Sequence, residues 1–498
     1  MKTTMFKPVI HTAVAAAVAA LLSACGTVGP NFVAPKGADT PAWRGAPTAQ
    51  ANAQLPAQSS ENARLPAKWW TVFGDATLDQ LEQRAMTDNP NVRAAAQRLV
   101  QAQAQLGATR ASELPAVNLS AGVSDQRTSS NSTEGILFGH KSLHGMNYQV
   151  GAGFSWELDL WGRVRRVVEA ADAQALAAQD DRDGVLLMLS SQVATTYWQL
   201  RGLDADLAIL KSALATRRES EQLIEARFNA GLSNELDLSR TRIERANAEA
   251  DLHEAQRQRD ALEHGLAVLV GASPSVPLLA PAQDTSLPLP PSIPVGLPAS
   301  VLGQRPDLAA SVAMLRASNA QVGVAQAAFY PDVSLTGNFG FASQQLSELA
   351  KAGSRAFSIG PLALSLPIFD GGRNRANLKL ARARYDEAVA NHEARLLTAL
   401  REVEDALSDV QQRQQQGEVQ AQAQQAAARA LQVAQARYDR GVSTYLDVTD
   451  AQRSTLSADR AAAQIRTQRL IAAVAVARAL GGGWSQGAPE ATIAQAGK

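Results

Sequence analysis

The stretch ARFNAGLSNELD, from Ala226 to Asp237, returns about 210 residues later as ARYDRGVSTYLD, from Ala436 to Asp447. A tandem duplication constrains the fold more than any local propensity does, because both copies must be built as the same supersecondary unit. The correspondence extends upstream, where Gly162, Arg163 and Arg165 match Gly372, Arg373 and Arg375 at the same offset. Closer to the N terminus the offset becomes about 216, aligning Pro90, Gly107 and Pro115 with Pro306, Gly323 and Pro331. Each half reads as short helix, strand, loop, strand, very long helix, turn and helix.

From Arg163 to Ala230 about 68 residues run without a proline and are rich in Ala, Gln, Leu, Glu and Arg, all good helix formers. At about 1.5 Å per residue such a helix is on the order of 100 Å long. The second half repeats the pattern from Arg373 to Arg440. Both runs meet a glycine, Gly231 or Gly441, suited to ending a helix in the left-handed conformation. Ser233 or Ser443 is then placed to cap a returning helix, which runs to about Val270 or Leu480 before Gly271 or Gly481-Gly482-Gly483. Two helical hairpins with unequal arms are implied. Helices this long gain their stability by packing one face on other long helices, and taken alone they fit a solvated coiled-coil rod.

The strands point elsewhere. Between Asn147 and Leu158 the apolar Tyr148, Val150, Ala152, Phe154, Trp156 and Leu158 alternate with Asn147, Gln149, Gly151, Gly153, Ser155 and Glu157. Period two over about 9–11 residues is what a tilted strand needs to cross a bilayer. Val117 to Ser124 and Val333 to Phe341 alternate in the same way, while a fourth segment from Phe357 to Leu366 changes phase across Gly360-Pro361, which predicts a bulge or kink. A soluble sandwich would bury either face equally well, and the strands alone leave that open. Four strands cannot close a barrel, and an open edge in lipid leaves backbone groups unpaired. Several copies must therefore share one barrel, and since an eight-stranded barrel is filled by side chains, a conducting assembly needs at least three.

Formal net charge is zero, with 46% hydrophobic and only 5% aromatic residues, so nothing here marks a nucleic-acid surface. Lys2 and Lys7 precede an apolar run from Val9 to Leu22, which reads as a secretory signal over residues 1–24. It ends in Leu22-Ser23-Ala24-Cys25, a lipobox-like sequence that makes Cys25, the chain's single cysteine, the candidate for lipidation. A single set of acyl chains anchors a protein without making it span. Residues 25–68, rich in Pro, Ala, Gln and Asn from Asn31 to Pro66, read as an extended leash. The first repeat is placed at 69–283, a proline-rich connector at 284–298, the second repeat at 299–486 and a tail at 487–498.

Eight motifs in order carry a family resemblance: GPNFVAP after Cys25, WWTVFGDATLDQL at Trp69, SWELDLWGR at Ser155, GLPASVLGQRPDL at Gly296, AAFYPDVSLTG at Ala327, LPIFDGGR at Leu366, RYDRGVSTYLDVTDAQR at Arg437 and LGGGW at Leu480. The chain resembles the outer-membrane factors of tripartite efflux pumps, of the TolC and OprM type, and among them the NodT-like lipoproteins. The resemblance implies a mostly α-helical duplicated fold in a homotrimer, with four strands per protomer in a shared twelve-stranded barrel and helical hairpins forming a periplasmic tunnel. It implies passive conduction of drugs or other small molecules, delivered by an inner-membrane transporter of the RND type through a periplasmic adaptor. Gly26 after the cysteine implies outer-membrane sorting. Leu446 and Asp450 fall where the family narrows its aperture, Asp447 at an acidic ring position and Arg453 at that of a basic partner. Three symmetry-related carboxylates around a narrow axis favour cations, and an Asp one turn before an Arg can pair with it. Tyr438 and Asp237 correspond to residues that bridge neighbouring helices in the closed state. Ser443 departs from the pattern, standing where TolC-like members carry an Arg that links protomers. The turns Gly231-Leu232-Ser233 and Gly441-Val442-Ser443 are the implied adaptor contacts.

No enzyme is implied. His11 lies in the signal, His140 and His144 lie in a loop, and the other three of six histidines are scattered on helices without ligand spacing; no cofactor or metal is called for. The alternatives within reach are the duct of a type I protein secretion system and, less fitting because it needs no membrane-length strands, a periplasmic adaptor or coiled-coil scaffold.

Overall fold

The computed structural model describes residues 26–35, 43–44, 65–142, 144–282, 285–293, 303–360 and 363–484. The expected signal peptide, Cys25, the tail and parts of the leash and connector lie outside the described residues.

In the first repeat, α1 (Ala76–Asp88) and α2 (Pro90–Arg110) lead into β1 (Ala116–Arg127), a short α3 (Thr133–Leu137), β2 (His144–Glu157), α4 (Arg163–Asn229) and α5 (Glu235–Leu269). In the second, α6 (Pro306–Ala327) leads into β3 (Asp332–Ser343), β4 (Arg355–Ile359), β5 (Ala363–Ser365), α7 (Arg373–Asp439) and α8 (Tyr445–Ala479). Each long helix starts on a carboxylate that takes otherwise unpaired N–H groups of the first turn. Asp159 accepts from the N–H groups of Val164 and Arg165 at 3.0 and 2.9 Å. Asp370 accepts from those of Gly372 and Asn374 at 2.9 and 2.8 Å. These are the aspartates of SWELDLWGR and LPIFDGGR, so two of the motifs are helix starts.

Packing divides the chain into two compact units that cut across the sequence repeats. One holds Leu99–Ala178 and Ser311–His392 with the described residues up to Pro35; the other holds Gln179–Ala310 and Glu393–Lys498 with the described residues between Lys36 and Arg98. The first unit carries an antiparallel sheet in the order β1-β2-β3-β4, with β5 also on β3. Its register opposes Val117 to Phe154, Leu119 to Ala152, and Val150 to Phe341. Ala152 also opposes Phe339, which opposes Phe357. Residues directly opposite share a face, so one face is apolar and aromatic. The other carries Asn118, Ser120, Gly151, Gly153, Asn338 and Ser358 through the pairs Asn118–Gly153, Ser120–Gly151, Gly153–Asn338 and Asn338–Ser358. Val117, Leu119, Phe339 and Phe357 are all exposed in the protomer. The break expected in the fourth strand falls between β4 and β5: both pair with β3, and the register moves by one residue between Gly337–Ile359 and Ser334–Ala363, as a bulge requires.

The second unit is helical around an apolar core. Trp69, Leu78, Tyr197, Trp198, Leu200, Leu266 and Leu470 are fully buried in it, and each such side chain contributes roughly 1.5–3 kcal/mol. WWTVFGDATLDQL builds this core: Trp69 Nε1 donates to Ser190 Oγ at 3.0 Å. Asp75 caps α1 by accepting from the N–H groups of Thr77 and Leu78, and its second oxygen accepts from the Tyr197 hydroxyl at 2.6 Å. Glu82, also on α1, is fully buried, and burial together with the neighbouring Asp79 charge pushes its carboxyl up to about 9, so it is neutral at pH 7.

The described part of the expected leash is docked. Arg166 donates to the carbonyls of Val28 and Gly29 and to Asn31 Oδ1. Trp43 and Leu65 are buried in the core, and the Arg44 N–H reaches Glu404 Oε1 at 2.7 Å. Proline richness disfavours regular elements but leaves carbonyls free to accept, and here they are used. Leu287 and Ile293 of the connector likewise pack on the core.

Candidate functional site

Both hairpin turns close in the same way. Gly231 and Gly441 have φ of 72° and 71°, and Leu232 and Val442 return their N–H groups to the carbonyls of Arg227 and Arg437 at 2.8 and 3.0 Å. This six-to-one closure requires a left-handed residue, hence glycine. Leu232 and Val442, which follow it, are 78% and 63% exposed. The helix caps are not the serines expected from the sequence. Asn234 precedes α5, its side chain accepting from the Asp237 N–H at 2.8 Å, and Thr444 precedes α8 without a side-chain cap bond. The closure consumes the glycine and its successor, so a cap can stand only beside the first helical residue. Ser443 instead has its hydroxyl buried with no hydrogen-bond partner among the described residues.

Behind the turns, Ile224, Leu238, Tyr445 and Val448 form a small buried cluster with Ala434 and Tyr438 against it. It draws on α4, α5, α7 and α8, and so joins the two hairpins. Tyr438 and Tyr445 meet edge to face at 5.3 Å. The Arg227 guanidinium stacks 5.1 Å over the Tyr438 ring and donates to its hydroxyl at 2.5 Å. Tyr438 thus bridges hairpins within a protomer. Asp237 does not: it turns to Asn234 Nδ2 at 3.1 Å and lies 3.9 Å from Arg240, within its own first turn.

One level further along the helices, Glu244 of α5 is held by Arg217 of α4 at 3.3 Å and by Arg453 of α8, whose Nε donates at 2.9 Å. Glu244 and Arg217 each keep only 8% of their side-chain exposure. The hydrogen bond to Glu244 pushes the Arg453 guanidinium up, keeping it charged. Arg453 also lies 3.5 Å from Asp450, the pairing expected one turn apart. Arg460 repeats the crossing, bonded to Asp206 at 2.8 and 3.0 Å. These side chains line an open groove of about 1290 Å³ among α4, α5 and α8.

Leu446, Asp447 and Asp450 are exposed, while Tyr445, Val448 and Thr449 are buried. The aperture candidates therefore share one outward face, and Arg453 ties that face to hairpin 1. Arg227, Arg217 and Glu244 escaped the sequence reading. One signal was available: at the repeat offset Tyr438 replaces Phe228, and the added hydroxyl is what Arg227 binds. Of the loop histidines, His140 sits at φ 62° and His144 opens β2, 3.1 Å from Asp125, so they do not share a helical face.

A family profile described as outer membrane efflux protein matches residues 81–272 and 297–482. The outer membrane protein OprJ of Pseudomonas aeruginosa is 36% identical over 475 residues, 94% of this chain and 95% of that one. Among solved structures, the outer-membrane channel OprN superposes with a TM-score of 0.81 at 33% identity, covering 92% of this chain and 100% of that one. The open state of the Neisseria gonorrhoeae MtrE outer membrane channel gives 0.80 at 29% identity, covering 92% and 99%.

Proposed function

The chain belongs to the outer membrane efflux protein family, and on that premise we propose how this outer-membrane efflux channel is assembled and gated. The observation that carries the reading is the sheet: one bare apolar face, one polar face and β1 and β4 at its edges. Such a sheet is stable in lipid only when copies close it, and three copies give a shared barrel with the apolar face to lipid and the polar face to a conducting lumen. The channel works as the exit component of a tripartite pump, with an adaptor and an inner-membrane transporter as its partners. The finer assignment is to an RND-type transporter and small amphiphilic cargo. A passive duct receives what the transporter delivers, so choice of cargo falls to the transporter. Cys25 is assigned as the lipidated residue.

The gate lies at the second turn. Leu446, Asp447 and Asp450 form the constriction, with Asp450 restrained by Arg453, and Tyr438 with Arg227 brace hairpin 2 against hairpin 1. The exposed Leu232 and Val442, flanked by Gly231, Ser233, Gly441 and Ser443, supply apolar contacts for the adaptor; cysteines at Ser233 and Ser443 should crosslink to it in an active pump. Asp447→Ala combined with Asp450→Ala should raise single-channel conductance of the reconstituted trimer and weaken its cation preference. If both quantities stay at wild-type values, these residues are not the gate.

A further inference from the structure

We propose that the base of the sheet's apolar face is a seat for an acyl chain carried on Cys25, resting on the assignment of Cys25 as the lipidated residue. Two independent features meet there. The first is a built clamp on the residues that follow the cysteine. Arg166, whose side chain is 4% exposed, donates to the Val28 and Gly29 carbonyls and to Asn31 Oδ1. Asn319 Nδ2 donates to the Pro30 carbonyl at 2.9 Å, and the Val28 N–H to the Trp161 carbonyl at 2.9 Å. Gly29 crosses Gly323 so closely that a Cβ on Gly29 would stand 2.5 Å from the Gly323 Cα, so side chains on these backbones would block the crossing. Thr27 packs on Gly162 in the same way. Five ordered hydrogen bonds and a glycine crossing within a few residues of Cys25 are far more than a tether needs.

The second feature is an apolar groove of about 620 Å³ lined by Pro115, Val117, Phe154, Trp156, Phe339 and Phe357. Its shape is fixed by the chain. The Trp156 indole is pinned by its Nε1 donating to the Glu113 carbonyl at 3.0 Å, and the Phe154 ring lies where a Cβ on Gly337 would meet it at 2.2 Å. Bulk lipid would cover any apolar wall, but it needs no such shaping.

Position joins the two. Val28 is bonded at Trp161, five residues from Trp156, a span of at most about 17 Å. An acyl chain extends through about half of the roughly 30 Å hydrocarbon core, a comparable reach. The clamp starts the chain beside the end of β2, and the groove continues along β2 from Trp156 to Ala152. An acyl chain so held would be a fixed part of the wall, covering aromatic side chains next to the edge strand β4.

The test uses the full-length protein assembled in cells fed a diazirine-bearing fatty acid, with intact mass read before irradiation. If the mass shows no acyl group, the lipidation assignment itself fails, and the seat with it. With the acyl group present, irradiation should join the N-terminal peptide to peptides containing Val117, Phe154 to Trp156, or Phe357. Arg166→Ala should lower that crosslink at least about tenfold, since it removes three hydrogen bonds donated by a charged group, and Arg166→Lys should recover part of it. Ala152→Trp, which fills the groove without touching the clamp, should also suppress it while heat-resistant trimers persist on gels. Acylated protein whose crosslinks spread evenly over the sheet, or go only to phospholipid, would overturn the proposal.

Discussion

The two hairpins share their frame and differ in their wiring. Their arms are equal in length, 67 and 35 residues in each copy, and their turns close on the same left-handed glycine. Hairpin 1 (α4–α5) is tied inward: Asn234 caps its returning helix, Asp237 is held by Asn234, and Arg217, Arg227 and Glu244 reach into the protomer. Hairpin 2 (α7–α8) begins its returning helix without a side-chain cap and leaves Asp447 and Asp450 exposed. The duplication supplied one shape twice, and divergence at a few positions of one turn made, on the proposed gating, an anchor and a movable partner. Phe228 against Tyr438, Arg240 against Asp450 and Ile243 against Arg453 are the substitutions that do this.

The largest test of that contrast is Glu244→Ala. It removes the one carboxylate shared by Arg217 and Arg453, leaving a buried cation uncompensated. A loss of about 3 kcal/mol is expected, seen as earlier dissociation of the trimer on heating; an unchanged transition would mean hairpin 1 is not the anchor. Tyr438→Phe makes the second copy resemble the first. It should shift the closed state by about 1–1.5 kcal/mol, raising the open-to-closed ratio roughly tenfold in single-channel records. Phe228→Tyr is the control, since Phe228 is partly solvent-facing and its change should leave the ratio alone; equal responses from both would erase the asymmetry. The smallest effect separates the caps. Asn234→Ala should cost about 1 kcal/mol of stability, whereas Thr444→Ala should cost only a few tenths, because its side chain makes no cap bond. Denaturant midpoints for the two would rank them, and the reverse order would contradict the cap geometry.

The long helices were legible to within a residue because glycine, proline and a capping aspartate punctuate them locally. Strand phase was legible because a period of two has only one reading on a two-faced sheet. The division of the fourth strand was half legible: Gly360-Pro361 announced a break, but not that both pieces would pair with β3. Local reasoning placed the caps one residue early, since Ser233 and Ser443 are good capping residues and only the turn geometry moves the cap to Asn234 and Thr444. Arg227 and Tyr438 are 211 residues apart and Glu244 and Arg453 are 209; nothing in either neighbourhood names the partner. The docking of residues 26–35 was hidden for a related reason, because all but one of its acceptors are backbone carbonyls, which every sequence has.

Glu82 gives the fold a proton ledger of its own. Its carboxyl titrates at about 9 in the folded chain against an ordinary value of 4.5, so between those values the native state keeps a proton that the unfolded chain has shed. By linkage, the stability it contributes is complete below about pH 4.5 and falls as pH rises toward 9, by a few kcal/mol over the window. Glu82→Gln should flatten that slope in unfolding temperatures measured from pH 5 to 9, and an unaltered slope would assign it to other groups. Mild acid thus leaves this part of the core intact, whereas alkali is what would loosen it.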